Sequence, residues 1–313
     1  MNYINELRDG DMISEVYLCK SKQDLKTKAG KSYFSLKLQD QTGMVDAKIW
    51  ELNNGISHFE VMDYIKVEAQ VTTFNGALQL NVKRVRVADE GEYDPADYMP
   101  CTSKNIEEMY GELLKIVDSV TEPHLKKLLY MFFVEDKELA EKFKKHSAAK
   151  TIHHGFVGGL LEHSLSVAKI CVFLSEHYTV LNRDLLVTAA LLHDIGKLEE
   201  ISPFPENDYT DEGQLIGHIV LGVIMAGDKI KEIPGFPETL AGELKHCILA
   251  HQGELEYGSP KKPEIIEALA LSFVDNMDAK LEAFIEVLQT NKDKSGWLGY
   301  NKIFEANVRV TDE

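Results

Sequence analysis

Tyr33-Phe34-Ser35-Leu36-Lys37-Leu38-Gln39 alternates apolar and polar side chains residue by residue. That period of two marks a strand with one buried face. Working outward, Val45-Asp46-Ala47-Lys48-Ile49-Trp50 repeats the pattern, as do Ile65–Val71 and Leu78–Val82. Asp40-Gln41-Thr42-Gly43 reads as the turn between the first two of these. Asn75-Gly76 is a strong hairpin signal, because both residues tolerate positive φ. A further strand is expected near Ile13–Lys20.

Five strands suit a closed Greek-key barrel. With a short helical piece expected at Asn53–Phe59, between strands three and four, the order resembles an OB-fold. Parity sends Phe34, Leu36, Leu38, Val45, Ala47 and Ile49 to the core and Tyr33, Lys37, Lys48 and Trp50 outward. Outward aromatics beside lysines are what stacking on single-stranded bases requires. The segment Lys20–Lys31, with five basic residues and one acid, Asp24, is expected as a rim loop. It adds Lys26, Lys28 and Lys31 to the candidate nucleic-acid contacts. Two readings stand for Trp50: a stacking platform, or packing against the neighbouring domain.

Residues 1–90 therefore form the expected barrel domain. Residues 91–100, acidic with Gly91, Pro95 and Pro100, read as a linker. Beyond it the period becomes helical: Ile106, Met109, Leu113 and Val117 recur at three and four, with Thr102 or Ser103 as N-cap. Helical patterns follow at Leu125–Phe133, Leu139–His146, Leu160–Glu176, Asp184–Leu192, Ile216–Ile230, Leu240–Ala250 and Glu264–Leu288. An all-α domain is expected over 101–290, with a tail at 291–313 whose Lys292, Lys294, Trp297, Tyr300 and Lys302 offer contacts to substrate or a second subunit.

The 313 residues, 44% apolar and 27% charged, exclude a wholly disordered chain, a collagen repeat and a disulfide scaffold. No apolar run is long enough to span a bilayer. The N-terminus has no signal-peptide pattern, and four scattered cysteines fit a reducing cytoplasm. The net charge of −17 excludes binding of polyanions by bulk electrostatics. Residues 1–90 are nearly neutral, with 12 basic and 13 acidic side chains; the surplus of acid follows them. Any phosphate contact there would need local cations or metal ions. The six carboxylates of Glu199–Glu212 read as a solvated loop.

Eight of the eleven histidines fall between His153 and His251. Leu191-Leu192-His193-Asp194-Ile195-Gly196-Lys197 closes an apolar helix with a His-Asp pair and a glycine exit. Both side chains can reach one site at a helix end. His163 lies on the stripe Leu160, His163, Val167. Asp275 sits in Leu269–Asp275, a helix apolar all round, where a buried carboxylate needs a cation or strong hydrogen bonds. On the stripe Leu240, Leu244, Ile248, His251, the helical phase favours His251 over His246 as an inward ligand.

His163, His193-Asp194 and Asp275 resemble the H…HD…D pattern of HD-domain phosphohydrolases; residues 150–290 carry that resemblance, with the metal core at 150–280. An OB-fold followed by such a domain is similar to the YhaM-type 3′→5′ exoribonucleases, over nearly the whole chain. The resemblance implies a metal centre of His163, His193, Asp194, His218, His251 and Asp275. Asp194 would bridge two ions, and Asp278 would stand behind the ligands. Mn²⁺ is favoured, with Fe or another transition metal compatible with the ligands. Lys197 would neutralise a phosphate oxygen or act as a helix C-terminal cation. His153 and His154 would contact phosphate, protonate the leaving oxygen, or lie on the surface.

The implied activity is hydrolysis of single-stranded RNA, with single-stranded DNA also compatible, to mononucleotides by a metal-activated water at Asp194. The alternatives are an HD phosphohydrolase of nucleotides or cyclic dinucleotides with a regulatory barrel, and a strand-binding protein with an inactive HD domain. No membrane partner is expected; homo-oligomer formation is compatible with the family.

Overall fold

Alternating side chains on five strands close the N-terminal sheet on itself. The computed structural model describes residues 2–311 apart from 28–29, 54, 75, 100, 103 and 150–154. β1 (Met12–Lys26), β2 (Ser32–Asp40), β3 (Gly43–Ile49), β4 (Tyr64–Phe74) and β5 (Ala77–Val87) form a closed barrel in the order β1-β2-β3-β5-β4, the β3–β5 pair being parallel. Leu36, Leu38, Val45, Ala47 and Ile49 are buried as their parity requires. Each such aliphatic side chain contributes about 1.5–3 kcal/mol when fully buried, alanine less. The β4–β5 turn is a two-residue hairpin, with Phe74 opposite Ala77 and Gly76 at φ +82°.

Three local expectations give way to longer-range pairing. β1 does not stop at Lys20. It continues through a bulge at Cys19/Ser21 and pairs with β2 as far as Lys26, so most of the expected lysine loop is strand. Lys22 donates to the Phe59 carbonyl (2.5 Å) and lies over the Phe34 and Phe59 rings. Asn53–Phe59 shows no helix among the described residues. Its spacing of Ile56 and Phe59 mimics a helical period, but Ile56 bridges to Val85 and Phe59 is buried in the barrel core. The linker also packs: Tyr93 stacks on Tyr64 at 4.0 Å, and buried Tyr98 accepts from the Gln39 amide at 2.9 Å.

The described residues divide into two compact units. One is the barrel through residue 103 together with 155–158 and 202–208; the other holds the remaining residues. Within the first, Val157 bridges to Cys101 and Lys20 donates to the carbonyls of Pro205 (3.0 Å) and Glu206 (3.3 Å).

The second unit is helical: α1 (Ile106–Asp118), α2 (Pro123–Tyr130), α3 (Lys137–Lys145), α4 (Gly159–His177), α5 (Arg183–Leu192), α6 (Lys197–Glu200), α7 (Asp211–Ile216), α8 (His218–Lys231), α9 (Glu238–Ala250) and α10 (Ile266–Thr290). Asn105, rather than Thr102, caps α1, accepting from the backbone of Glu107 and Glu108; Ser103 lies outside the described residues. Beyond the half-buried Arg183 at its start, α5 is buried throughout, from Asp184 to Leu192. Asp184 accepts from Thr121 N (2.8 Å), Thr121 Oγ (2.6 Å) and Glu122 N (2.7 Å), tying α5 to the turn before α2. The single helix expected over Ile216–Ile230 is split by Gly217, whose φ of +79° ends α7 and starts α8 at His218. The tail is a hairpin, β6 (Trp297–Asn301) with β7 (Ala306–Arg309). All four cysteines are free, and among the described residues no helix is long and apolar enough to cross a membrane.

Candidate metal centre

α5 runs out of helix at Leu192, and the next two side chains turn into the unit. His193 and Asp194 are 0% and 2% exposed. Gly196 makes this turn possible. A Cβ there would meet the His218 carbonyl oxygen at 2.0 Å and Gly222 N at 2.5 Å, so the glycine lets the start of α8 press against the turn. His163 arrives from α4, His218 from the first position of α8, His251 from the end of α9 and Asp275 from α10.

Two triads of ligand atoms share Asp194: His163, His193 and Asp194 in one, Asp194, His218 and His251 in the other, with the atoms of each within 4.8 Å of one another. His163 Nε2 lies 3.1 Å from His193 Nε2 and 3.1 Å from Asp275 Oδ1. Asp194 Oδ2 is 3.4 Å from His193 Nε2, while Oδ1 is 3.5 Å from His218 Nε2 and 3.7 Å from His251 Nε2. All four imidazoles turn Nε2 inward. Each Nδ1 is held by an acceptor: Asp278 Oδ2 for His163 (2.8 Å), the Ala190 carbonyl for His193 (2.8 Å), Glu200 Oε1 for His218 (2.9 Å) and the Ile248 carbonyl for His251 (2.7 Å). Placing the proton on Nδ1 leaves the Nε2 lone pair for a ligand bond. Ser166 in turn donates to Asp278.

The electrostatics are strongly coupled. Burial opposes ionisation of Asp194, but Lys197 and His193 hold its carboxyl well below the usual range. Burial also opposes a charge on His193, and Asp194 with Asp275 outweighs it, holding the imidazolium up to about 10. His251 goes the other way: burial, reinforced by His193, pushes it down to about 4, so it is a neutral imidazole at pH 7. Burial likewise works against Asp275 and Glu200 as anions, yet their histidine partners keep both carboxyls low.

These residues fit divalent cations. Four imidazoles and two carboxylates without a thiolate form a donor set for Mn, Fe or similar ions. Among the described residues, Asp194 Oδ1 and His218 Nε2 are buried side-chain atoms that have no hydrogen-bond partner, and they face each other. Buried polar atoms are normally satisfied; a shared cation would satisfy both.

A family model for the HD domain matches residues 160–280, the stretch that carries the cluster. A curated relative from Geobacillus sp. (strain WCH70), "3'-5' exoribonuclease YhaM", is 32% identical over 287 residues, covering 90% of this chain and 87% of its own length. The chain belongs to the YhaM exoribonuclease family. A YhaM-family assignment accounts for the order of barrel and HD domain along nearly the whole chain. Among solved structures, the second OB-fold domain of replication protein A from Methanococcus maripaludis covers 29% of this chain and 98% of its own, at 22% identity and a TM-score of 0.24. At that score the barrel's fold rests on its own strand order.

The remaining expected site residues distribute as follows. Lys197 places Nζ 2.6 Å from Asp194 Oδ2, facing the cluster from the first turn of α6 rather than ending a helix. His246 accepts from the Glu264 backbone at 2.8 Å and is outside the ligand triads. His153, His154 and Lys28 lie outside the described residues. On the barrel of this YhaM-family chain, Tyr33 and Trp50 stack on one another at 4.6 Å, with Trp50 40% exposed. Lys48 bonds Ser35 Oγ (2.6 Å), Lys37 pairs with Asp46 (3.3 Å) and Lys31 with Glu51 (3.8 Å). Lys26 ends β1 and is exposed. These lysines thus meet more acid than the segment Lys20–Lys31 alone suggests.

Glu200 corrects one expectation. It belongs to the stretch read as a solvated loop, yet it is buried and holds both Nδ1 and the backbone N–H of His218 (3.0 Å). Its place in α6, four residues after Gly196, was the available signal. Ser166 and Gln252, whose amide lies 3.2 Å from His251 Nε2, had none.

Proposed function

We propose that this chain is a metal-dependent 3′→5′ exoribonuclease that shortens single-stranded RNA to mononucleotides, with single-stranded DNA a compatible substrate and Mn²⁺ as the working ion. The observation that carries the reading is Asp194, whose two oxygens serve two separate sets of imidazoles. Family membership supports the choice of reaction.

Divalent cations at such a site supply Lewis-acid stabilisation of the phosphoryl oxygens and a more acidic water. The chain's own residues do the rest. His163, His193, Asp194 and Asp275 would hold one ion; Asp194, His218 and His251 would hold the other. Asp278, Glu200 and two backbone carbonyls fix the imidazoles so that little reorganisation is needed. Lys197 keeps Asp194 ionised and places a cation beside the ligand cluster. The stacked Tyr33 and Trp50 offer a base-tolerant face for a single strand, so little sequence preference is expected.

The test is incubation of 5′-labelled RNA with the protein and Mn²⁺, with and without EDTA. Stepwise shortening from the 3′ end, abolished by EDTA, is the expected result. Hydrolysis of free nucleotides or cyclic dinucleotides alone would replace this reading with the regulatory-barrel alternative. Strand binding without cleavage would replace it with a binding protein.

A further inference from the structure

Next to the ligand cluster is a cavity of about 410 Å³, whose lining includes His163, Asp194, His251 and Asp275. Its volume is near the lower end of small-molecule sites, about 300–1,000 Å³, room for a nucleotide and not for a duplex. The same cavity is also lined by Tyr257, Asn276 and Lys280, which the metal chemistry does not use. Resting on the exonuclease reading above, the geometry points to a subsite for the terminal nucleotide, with Tyr257 as the stacking platform for its base and Lys280 as the cation for its phosphate.

Three observations carry this. First, Tyr257 is 60% exposed although it lines the cavity, and among the described residues it has no ring partner. Its support is fixed. The turn is bounded by Gly253 and Gly258, both with positive φ, Tyr257 N donates to Glu254 O (3.0 Å), and buried Ser259 donates to the carbonyls of Leu249 (3.1 Å) and Lys261 (2.7 Å). An exposed ring on a fixed support fits base stacking, which every base can satisfy. Second, among the described residues no carboxylate pairs with Lys280, in a half of the chain with a large surplus of acid. Third, α10 presents Asp275, Asn276, Ala279 and Lys280 to the same cavity. Lys280 follows Asp275 by five residues, about 7.5 Å along the helix axis, and helix side chains lean toward the N-terminus, so its long side chain can reach back to a phosphate held beside Asp275. Ala279 between them keeps the wall low.

The test is calorimetric binding of adenosine 5′-monophosphate and of ribose 5-phosphate to the full chain with Mn²⁺, with no turnover required. The wild type is expected to prefer the nucleotide about tenfold, the worth of one base stack. Tyr257→Ala should erase that preference and Tyr257→Phe should keep it. Lys280→Ala should weaken both phosphates several-fold and leave adenosine binding unchanged; Lys280→Arg should restore them. A wild type without the preference, or a Tyr257→Ala protein that keeps it, overturns the platform. Unchanged phosphate binding in Lys280→Ala overturns the cation. Should the RNA assay fail while the preference stands, the exonuclease reading falls and the nucleotide subsite remains.

Discussion

Replacing Gly196 with Ala puts one methyl group between the His193-Asp194 turn and the start of α8. The added Cβ would stand 2.0 Å from the His218 carbonyl oxygen and 2.5 Å from Gly222 N, both backbone atoms, where ordinary contact begins at 3.4 Å. Backbone cannot swing aside as a side-chain tip does, so α8 and the turn must separate by about 1.4 Å, the gap between those two distances. His218 is the first residue of α8 and moves with it. Ligand distances tolerate only about ±0.2 Å, so the Asp194–His218–His251 set is lost while His163, His193 and Asp275 stay. Overpacking of this kind costs about 1–3 kcal/mol, which lowers Tm by several degrees in a unit of this size. The expected outcome is a folded protein that keeps one Mn²⁺ per chain instead of two after gel filtration and hydrolyses RNA at least about 100-fold more slowly, the range seen when a single transition-state contact is removed. Gly222→Ala is the graded companion: its Cβ meets Gly196 N at 3.3 Å, so only a small loss is expected. Two ions at unchanged affinity in Gly196→Ala, with activity within threefold of wild type, would refute the reasoning.

Other outcomes follow from the same contacts. Glu200→Gln should weaken Mn²⁺ binding about 10–100-fold, the usual effect of loosening a ligand's support, with metal titration as the measurement. Asp194→Ala should abolish hydrolysis and leave RNA binding within a few-fold, read by filter binding beside the cleavage assay; retained cleavage would remove the metal assignment. Trp50→Ala should weaken single-strand binding about tenfold without changing metal content. Asp184 bears on stability and pH. Burial opposes its charge, but the bonds from Thr121 and Glu122 prevail and hold its carboxyl low. A depressed carboxyl stabilises the fold above its unfolded pKa of about 3.9 and loses that stabilisation as pH falls through the folded value. Asp184→Asn should therefore cost about 2 kcal/mol at pH 7, measured by urea unfolding, with the gap to wild type narrowing as the pH drops below 4.

What could be read from residues was what repeats locally or stands close in the chain. Alternation placed Leu36, Leu38, Val45, Ala47 and Ile49 in the barrel core, and the helical phase separated His251 from His246. Features set by distant partners were hidden. The bulge at Cys19/Ser21 breaks parity, so β1 looked finished at Lys20. Ile56 and Phe59 share a helical spacing but answer to Val85 and Phe34. Glu200 looked like one more carboxylate on an acidic surface because its partner, His218, lies 18 residues away and approaches only after Gly217 turns the chain. The hairpin at Trp297–Arg309 carries too short an alternation to stand out from a tail.

The inward-facing nitrogens and oxygens come from five helices or helix ends spread over residues 163–275. Ions held there would cross-link chain segments that are otherwise joined by packing and a few hydrogen bonds, much as a disulfide does, but reversibly. Depriving the protein of divalent ions should then do more than silence it: the α4–α10 assembly would breathe more freely, melt earlier and be cut sooner by proteases.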